Sequence, residues 1–280
     1  LGITIDGRGK LILKLVFAIA FIAIFASNTA SMLTWSERRG VFDDLCYLRQ
    51  AHLFQRFGLA GLDTDYARDD DHFFVRAVED IATIEPSDPA KPVCHTLMPS
   101  GKRVIQYPPG TGFVLALFPE GRQVAPMFIA ASALMLAAVG AALLLARSTG
   151  AILACGTIGC EALYMMINPS KASYSIAPTA PVCVALGIVT VLLLFDARPR
   201  RALAGALIAG ALVGLTVDFR ITNALLASGY LASFAIDLAI RRSLAPFVQG
   251  AAFVAGMALF TLPTLIANAI NAGSPFKTTY

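Results

Sequence analysis

Residues 11–33 read LILKLVFAIAFIAIFASNTASML, an apolar run broken by a single charge, Lys14. A helix needs about 20 mostly apolar residues to cross a bilayer, and this run has that length. It exceeds the roughly 7–15-residue apolar core of a signal peptide. It therefore reads as an uncleaved anchor behind Arg8 and Lys10, although Asn28-Thr29-Ala30 offers a weak small-residue cleavage pattern. The composition agrees: 57% of the 280 residues are hydrophobic and 14% charged, where a soluble domain has about a quarter charged. The net charge of +4 does not indicate nucleic-acid binding, because the basic residues sit between apolar runs, where membrane topology explains them.

Six more runs qualify as spans, at 124–146, 150–168, 176–195, 202–218, 221–240 and 246–270. The expected fold is all-α: a polytopic transmembrane helical bundle of about seven spans, forming one membrane domain over residues 1–280. With the N-terminus cytoplasmic, the clustered Lys and Arg of residues 1–10, Arg147, Arg198-Pro199-Arg200-Arg201 and Arg241-Arg242 all fall inside. Residues 34–123 then form a long loop outside the cytoplasm, periplasmic or extracellular, and the chain is a multi-pass protein of the inner (plasma) membrane. The turns at 168–175 and 218–223 and the tail 271–280 share that side. The last three carry only Lys171, Arg220 and Lys277 as basic residues. Asp218, Arg220 and Asn223 are thereby placed at the outer membrane face. Small residues at 205–214, including Gly210-x-x-x-Gly214, suit close helix packing in lipid.

The long loop opens with Phe42-Asp43-Asp44-Leu45-Cys46-Tyr47-Leu48-Arg49-Gln50-Ala51-His52. Polar and apolar residues alternate at helical spacing up to Phe57, as in an amphipathic helix lying on the membrane surface. Gly58 and Gly61 end it, and residues 75–84 form a second short helix. The apolar stretch Phe113–Phe118 is too short to cross and reads as an interfacial or re-entrant turn. Asp43-Asp44 is open to two readings. Acids at a helix start are ordinary N-terminal capping; at a lipid–water boundary they are also candidate general bases. The run from Asp63 to His72 is rich in oxygen ligands, so a divalent cation is possible there, but it lacks the Gly and terminal Glu of an EF-hand. It otherwise reads as a solvated acidic loop. Cys46 and Cys94, both in the loop, are either disulfide-bonded or free thiols, while Cys155, Cys160 and Cys183 lie in apolar runs as packing residues.

The order of these motifs resembles the membrane glycosyltransferases of the GT-C fold, in particular family 39-like bacterial relatives of protein O-mannosyltransferase and aminoarabinose transferase. Four short stretches carry the resemblance along the whole chain. They are Asp43-Asp44 with Tyr47 and Ala51, Gln106-Tyr107-Pro108-Pro109-Gly110-Thr111-Gly112, Arg220 to Asn223, and Asn271-Ala272-Gly273-Ser274-Pro275-Phe276. The resemblance implies transfer of a sugar from a polyprenyl-phosphate donor to an acceptor at the outer face, with inversion. Asp43 would be the catalytic base and Asp44 its support. A leaving phosphate needs positive charge, for which Arg220, Arg49, His52 and Lys171 are the candidates, with Lys102 and Arg103 read as solvated. For Arg220, snorkelling of its charge to the interface is an equal reading. Tyr47, Tyr107, Pro108 and Pro109 would rim the cleft.

The chain departs from that family in two ways. Members commonly continue past the last motif into further helices, so this chain is expected to be C-terminally truncated. Many also carry an acid near the start of the fourth helix, where this chain has Ser175-Ile176-Ala177-Pro178-Thr179-Ala180-Pro181. Two rival readings stay open. One is a transporter or lipid flippase acting through Glu161, an acid expected near mid-span of 150–168. The other is a non-catalytic remnant.

Overall fold

The computed structural model describes residues 6–36, 42–80, 92–166, 169, 173–195 and 199–279, with no side-chain description for 42, 43, 195, 199 and 241. Eleven α-helices account for nearly all the regular structure among these residues. They are α1 (Gly7–Thr34), α2 (Phe42–Phe57), α3 (Phe73–Glu79), α4 (Gly110–Leu115), α5 (Val124–Leu145), α6 (Thr149–Tyr164), α7 (Ile176–Phe195), α8 (Pro199–Phe219), α9 (Leu225–Arg241), α10 (Leu244–Phe260) and α11 (Leu262–Ala272). One antiparallel hairpin, β1 (His95–Leu97) with β2 (Arg103–Ile105), was not expected; its register pairs His95 with Ile105.

Five helices among the described residues are long and apolar enough to cross a membrane, and a sixth crossing arises if the bent pair α10–α11 is one span. The protein is thus a multi-pass membrane protein, with fewer straight spans than the seven expected. Helix α6 is the first shortfall. It has 16 residues, or about 24 Å at 1.5 Å per residue, short of a ~30 Å hydrocarbon core. The second is the run 246–270, which bends by 52° between Phe260 and Leu262. Pro263 explains the bend, since a proline removes an N–H and its ring collides with the carbonyl four residues earlier. The helices expose Leu11, Leu15, Ile19 and Ile22 on α1 and Ile188, Val191 and Leu194 on α7. An apolar surface this extensive faces lipid.

The chain divides into two compact units. The first combines residues 1–40 with 121–181. In it α1 packs against α5 and α6, seating Phe17 over Gly156 and Phe21 over Gly159. Asn28 is buried in α1 and donates from Nδ2 to the carbonyl of Leu163 at 2.7 Å. Trp35 meets Tyr174 edge to face at 5.8 Å.

The second unit combines residues 41–120 with 182–280. Its tightest packing is α8 on α10, where a Cβ on Gly210 would lie 1.9 Å from the Phe253 carbonyl oxygen and one on Gly256 would lie 2.1 Å from that of Leu207. Two backbones in direct contact tolerate no side chain between them, which is how small residues hold helices together in lipid. Asp218, at the end of α8, is buried. Its Oδ1 accepts the backbone N–H of Thr264 at 3.1 Å and the Thr264 hydroxyl at 2.5 Å. The bend leaves the first N–H groups of α11 without intrahelical partners, and Asp218 supplies one from another helix.

Gly210→Ala is expected to lower stability by about 1–3 kcal/mol or more, the cost of overpacking a tight contact. Gly229→Ala in α9, where a Cβ meets nothing within 4 Å, is expected to be neutral or slightly stabilising. Thermal unfolding in detergent of the two variants side by side checks this.

Candidate functional site

Helix α2 forms where expected but is not a surface helix. Every residue from Asp44 to Ala51 is buried, as are Leu53 and Phe54. The rest of the loop wraps it: α3, α4 and the 3-10 turn Gly58–Leu62 all pack against it. Leu45 and Cys46 share a core with Phe74, Val78 and Ile105. The helix ends at Phe57, before Gly58 with its φ of 57°. Cys46 and Cys94 form a disulfide across 48 residues of sequence. In the chain-entropy account a loop of that size contributes about 4 kcal/mol.

Arg49 is the least expected feature of this core. Its side chain is fully buried. Nη1 donates to the Thr64 carbonyl at 2.9 Å and to His95 Nε2 at 2.8 Å; Nη2 donates to the Asp65 carbonyl at 2.8 Å. Nε lies 3.8 Å from Asp69 Oδ1, and the guanidinium carbon sits 5.5 Å from the Tyr66 ring centre. Burial lowers the Arg49 pKa to about 10, while Asp69 opposes the shift, so the group stays charged near neutrality. The His95 Nδ1 donates to the Val93 carbonyl at 2.6 Å, which leaves Nε2 as the acceptor for Arg49. Burial, then the Arg49 charge, pushes the His95 pKa down to about 3.

Four candidate stretches meet in the second unit. Asp43 lies in the first turn of α2, its side chain outside the described residues, and Asp44 beside it is 1% exposed. Tyr47 is buried against Tyr107, with ring centres 5.1 Å apart. Gln50 Nε2 donates to the Tyr107 carbonyl at 3.3 Å. Pro108 and Pro109 are buried, and Thr111 donates its hydroxyl to the Phe219 carbonyl at 3.3 Å, next to Arg220. Arg220 itself is exposed, in extended backbone, and forms no ion pair among the described residues. Asn223 closes its turn by donating to the Thr216 carbonyl at 2.8 Å. At the C-terminal end, Asn271 Oδ1 accepts the Thr64 N–H at 3.0 Å, and Thr279 donates to the Gln106 carbonyl at 3.1 Å.

Other candidates are elsewhere or engaged. His52 sits between Asp71 (Nε2, 2.8 Å) and Glu120 (Nδ1, 3.0 Å), stacked on Phe73. Lys171 lies outside the described residues. Glu161 is exposed in the last turn of α6, not at mid-span, because that helix stops at Tyr164. Four carboxylates of the acidic run face basic side chains. Asp63 faces Lys102, Asp69 faces Arg49, Asp70 faces Arg56 and Asp71 faces His52. The one convergence of three metal-type side chains among the described residues is Cys46, Cys94 and His95, and its sulfurs are joined in the disulfide. Sequence reasoning missed Gln50, Thr64 and Asn271 as connectors; the neighbouring motifs were the only signal for them.

His95 sets a pH dependence. Its folded pKa lies below the ordinary 6.5, so its contribution is fully present above about pH 6.5 and is lost as pH falls toward 3. The unfolded chain binds the extra proton across that window, giving a slope of up to about 1.4 kcal/mol per pH unit. Unfolding measured from pH 7 to 4 is expected to show a shallower loss in His95→Gln than in the wild type.

No protein-family model, curated protein or solved structure matches this chain.

Proposed function

We propose that the protein is a GT-C-type glycosyltransferase that moves a sugar from a polyprenyl-phosphate donor in the membrane to an acceptor hydroxyl. The observation that carries this reading is the meeting of four stretches far apart in sequence within one unit. Tyr47 of α2 packs on Tyr107, Thr111 bonds beside Arg220, and the tail from Asn271 to Thr279 bonds to Thr64 and Gln106. Tyr47 lies one helical turn on from Asp43, and Tyr107, Pro108 and Pro109 follow from its contact with Tyr107 as the proposed rim.

In the proposed step, the Asp43 carboxylate takes the proton of the acceptor hydroxyl. The acceptor oxygen forms a bond to the anomeric carbon as the bond from that carbon to the donor phosphate breaks. A single displacement inverts the anomeric centre, and polyprenyl phosphate leaves. Arg220, exposed beside the Thr111–Phe219 contact, meets the negative charge that builds on the phosphate. Arg49 and His52 drop out of this set, because their donors are engaged inside the protein. Asp44, buried next to Asp43, orients the first turn. The Cys46–Cys94 disulfide supports an oxidising compartment for this loop, and so the orientation read from the Lys/Arg distribution.

Purified protein in proteoliposomes, supplied with polyprenyl-phosphate hexoses and an acceptor pool, tests the proposal. Asp43→Asn is expected to slow transfer about 100-fold or more, the usual contribution of a general base. Glu161→Gln is expected to leave it unchanged. Wild-type transfer by Asp43→Asn would overturn the assignment, and loss on Glu161→Gln alone would favour transport.

A further inference from the structure

The second unit has a cavity of about 410 Å³ between the turn Tyr66–Arg68 and the hairpin loop, lined by Asp65, Tyr66, Ser100, Gly101, Lys102 and Arg103 among others. Its size falls within the roughly 300–1,000 Å³ of small-molecule sites. Its charges are two cations, Lys102 and Arg103, against one carboxylate, Asp65.

Arg103 decides what such a cavity suits. Among the described residues its guanidinium makes no hydrogen bond or ion pair, and its Nε is withdrawn from water without an acceptor. Four other arginines of this loop behave differently: Arg49, Arg56, Arg68 and Arg76 each donate to a carboxylate or a carbonyl. A half-desolvated guanidinium with open donors is a standing cost, relieved by a planar oxyanion that takes two parallel N–H bonds. Lys102 Nζ lies 3.3 Å from Asp63 and is partly exposed, so it adds a second positive charge while still anchored. Asp65 spends Oδ1 on the Ala67 N–H at 3.3 Å and keeps Oδ2 for a ligand hydroxyl. Ser100 adds a hydroxyl at the mouth. Burial raises the Tyr66 pKa, so its phenol remains a neutral donor.

We propose that this cavity binds a small hydroxylated oxyanion, a sugar phosphate or sugar carboxylate, with Arg103 and Lys102 on the anionic group and Asp65 and Ser100 on hydroxyls. The site shares no residue with the proposed transfer chemistry and does not depend on it. The same chemistry is presented by a water-soluble sugar phosphate or by an anionic glycerol headgroup of the membrane.

Calorimetric titration of the whole protein in phosphatidylcholine nanodiscs with glucose 1-phosphate, glucuronate and glucose tests it. Both anions are expected to bind, glucose about tenfold or more weaker, and Arg103→Gln to weaken the anions by a similar factor. Ser100→Trp, in the exposed hairpin loop, is expected to block the cavity without touching the core. Repeating the titration in phosphatidylglycerol nanodiscs separates the sources. Arg103-dependent competition assigns the site to a membrane headgroup, and its absence to a soluble ligand; both outcomes support the site. Binding unchanged in both variants, glucose binding as well as its phosphate, or no saturable heat from any ligand would overturn it.

Discussion

A guanidinium taken fully out of water shapes the loop that follows the first span. Arg49 lies inside α2, and its partners come from three other places: the carbonyls of Thr64 and Asp65, the ring of His95 at the start of β1, and Asp69. Desolvating such an ion costs several kcal/mol unless partners inside the protein offset it. The loop therefore has few arrangements open to it. It must bring the 62–69 turn and the hairpin to α2 together, or leave a charge buried and unpaired. Tyr66 and Phe74 close over the guanidinium, and the Cys46–Cys94 disulfide fastens the same hairpin one helical turn away.

Thr64 extends that constraint to the far end of the chain. Its carbonyl accepts from Arg49 and its N–H donates to Asn271. Its hydroxyl oxygen takes the Ile105 N–H at 3.1 Å and lies 3.3 Å from Asn271 Oδ1. One residue thus couples α2, the hairpin and the end of α11. Asn271 also donates to the Leu62 carbonyl. The bend between α10 and α11, with Asp218 serving the new helix start, carries the chain to that point. The proposed chemistry would depend on this scaffold, because the first turn of α2 has no position of its own without it.

The membrane helices were legible because an apolar run of 20 residues has few other fates. What was not legible depended on partners distant in sequence. Pro263 was visible, yet whether a run with an internal proline stays straight depends on what its freed N–H groups meet, here Asp218. The polar–apolar alternation of α2 suggested a helix on a surface. Two of its polar positions instead bond inside the protein, Arg49 to His95 and Gln50 to Tyr107. Arg49 and Arg220 were both candidate phosphate ligands, with Arg220 the better placed, and burial now sets Arg49 apart. The acidic run looked like either a solvated loop or a cation site. Four of its carboxylates each face a basic side chain, partners that the run itself did not name. The motif order was legible, and so was the pairing of the two loop cysteines as one of two alternatives.

Arg49 holds α2, and with it the acidic pair, in place. Amide hydrogen exchange of α2 in Arg49→Met, compared with Arg56→Met at the more exposed pair with Asp70, tests it most directly. Methionine keeps much of the volume and removes the charge, stranding His95, Asp69 and two carbonyls. Residues 42–57 are expected to lose at least about tenfold of their protection in Arg49→Met, corresponding to about 1.4 kcal/mol or more of local stability, and almost none in Arg56→Met. Equal protection of α2 in Arg49→Met and the wild type would contradict it.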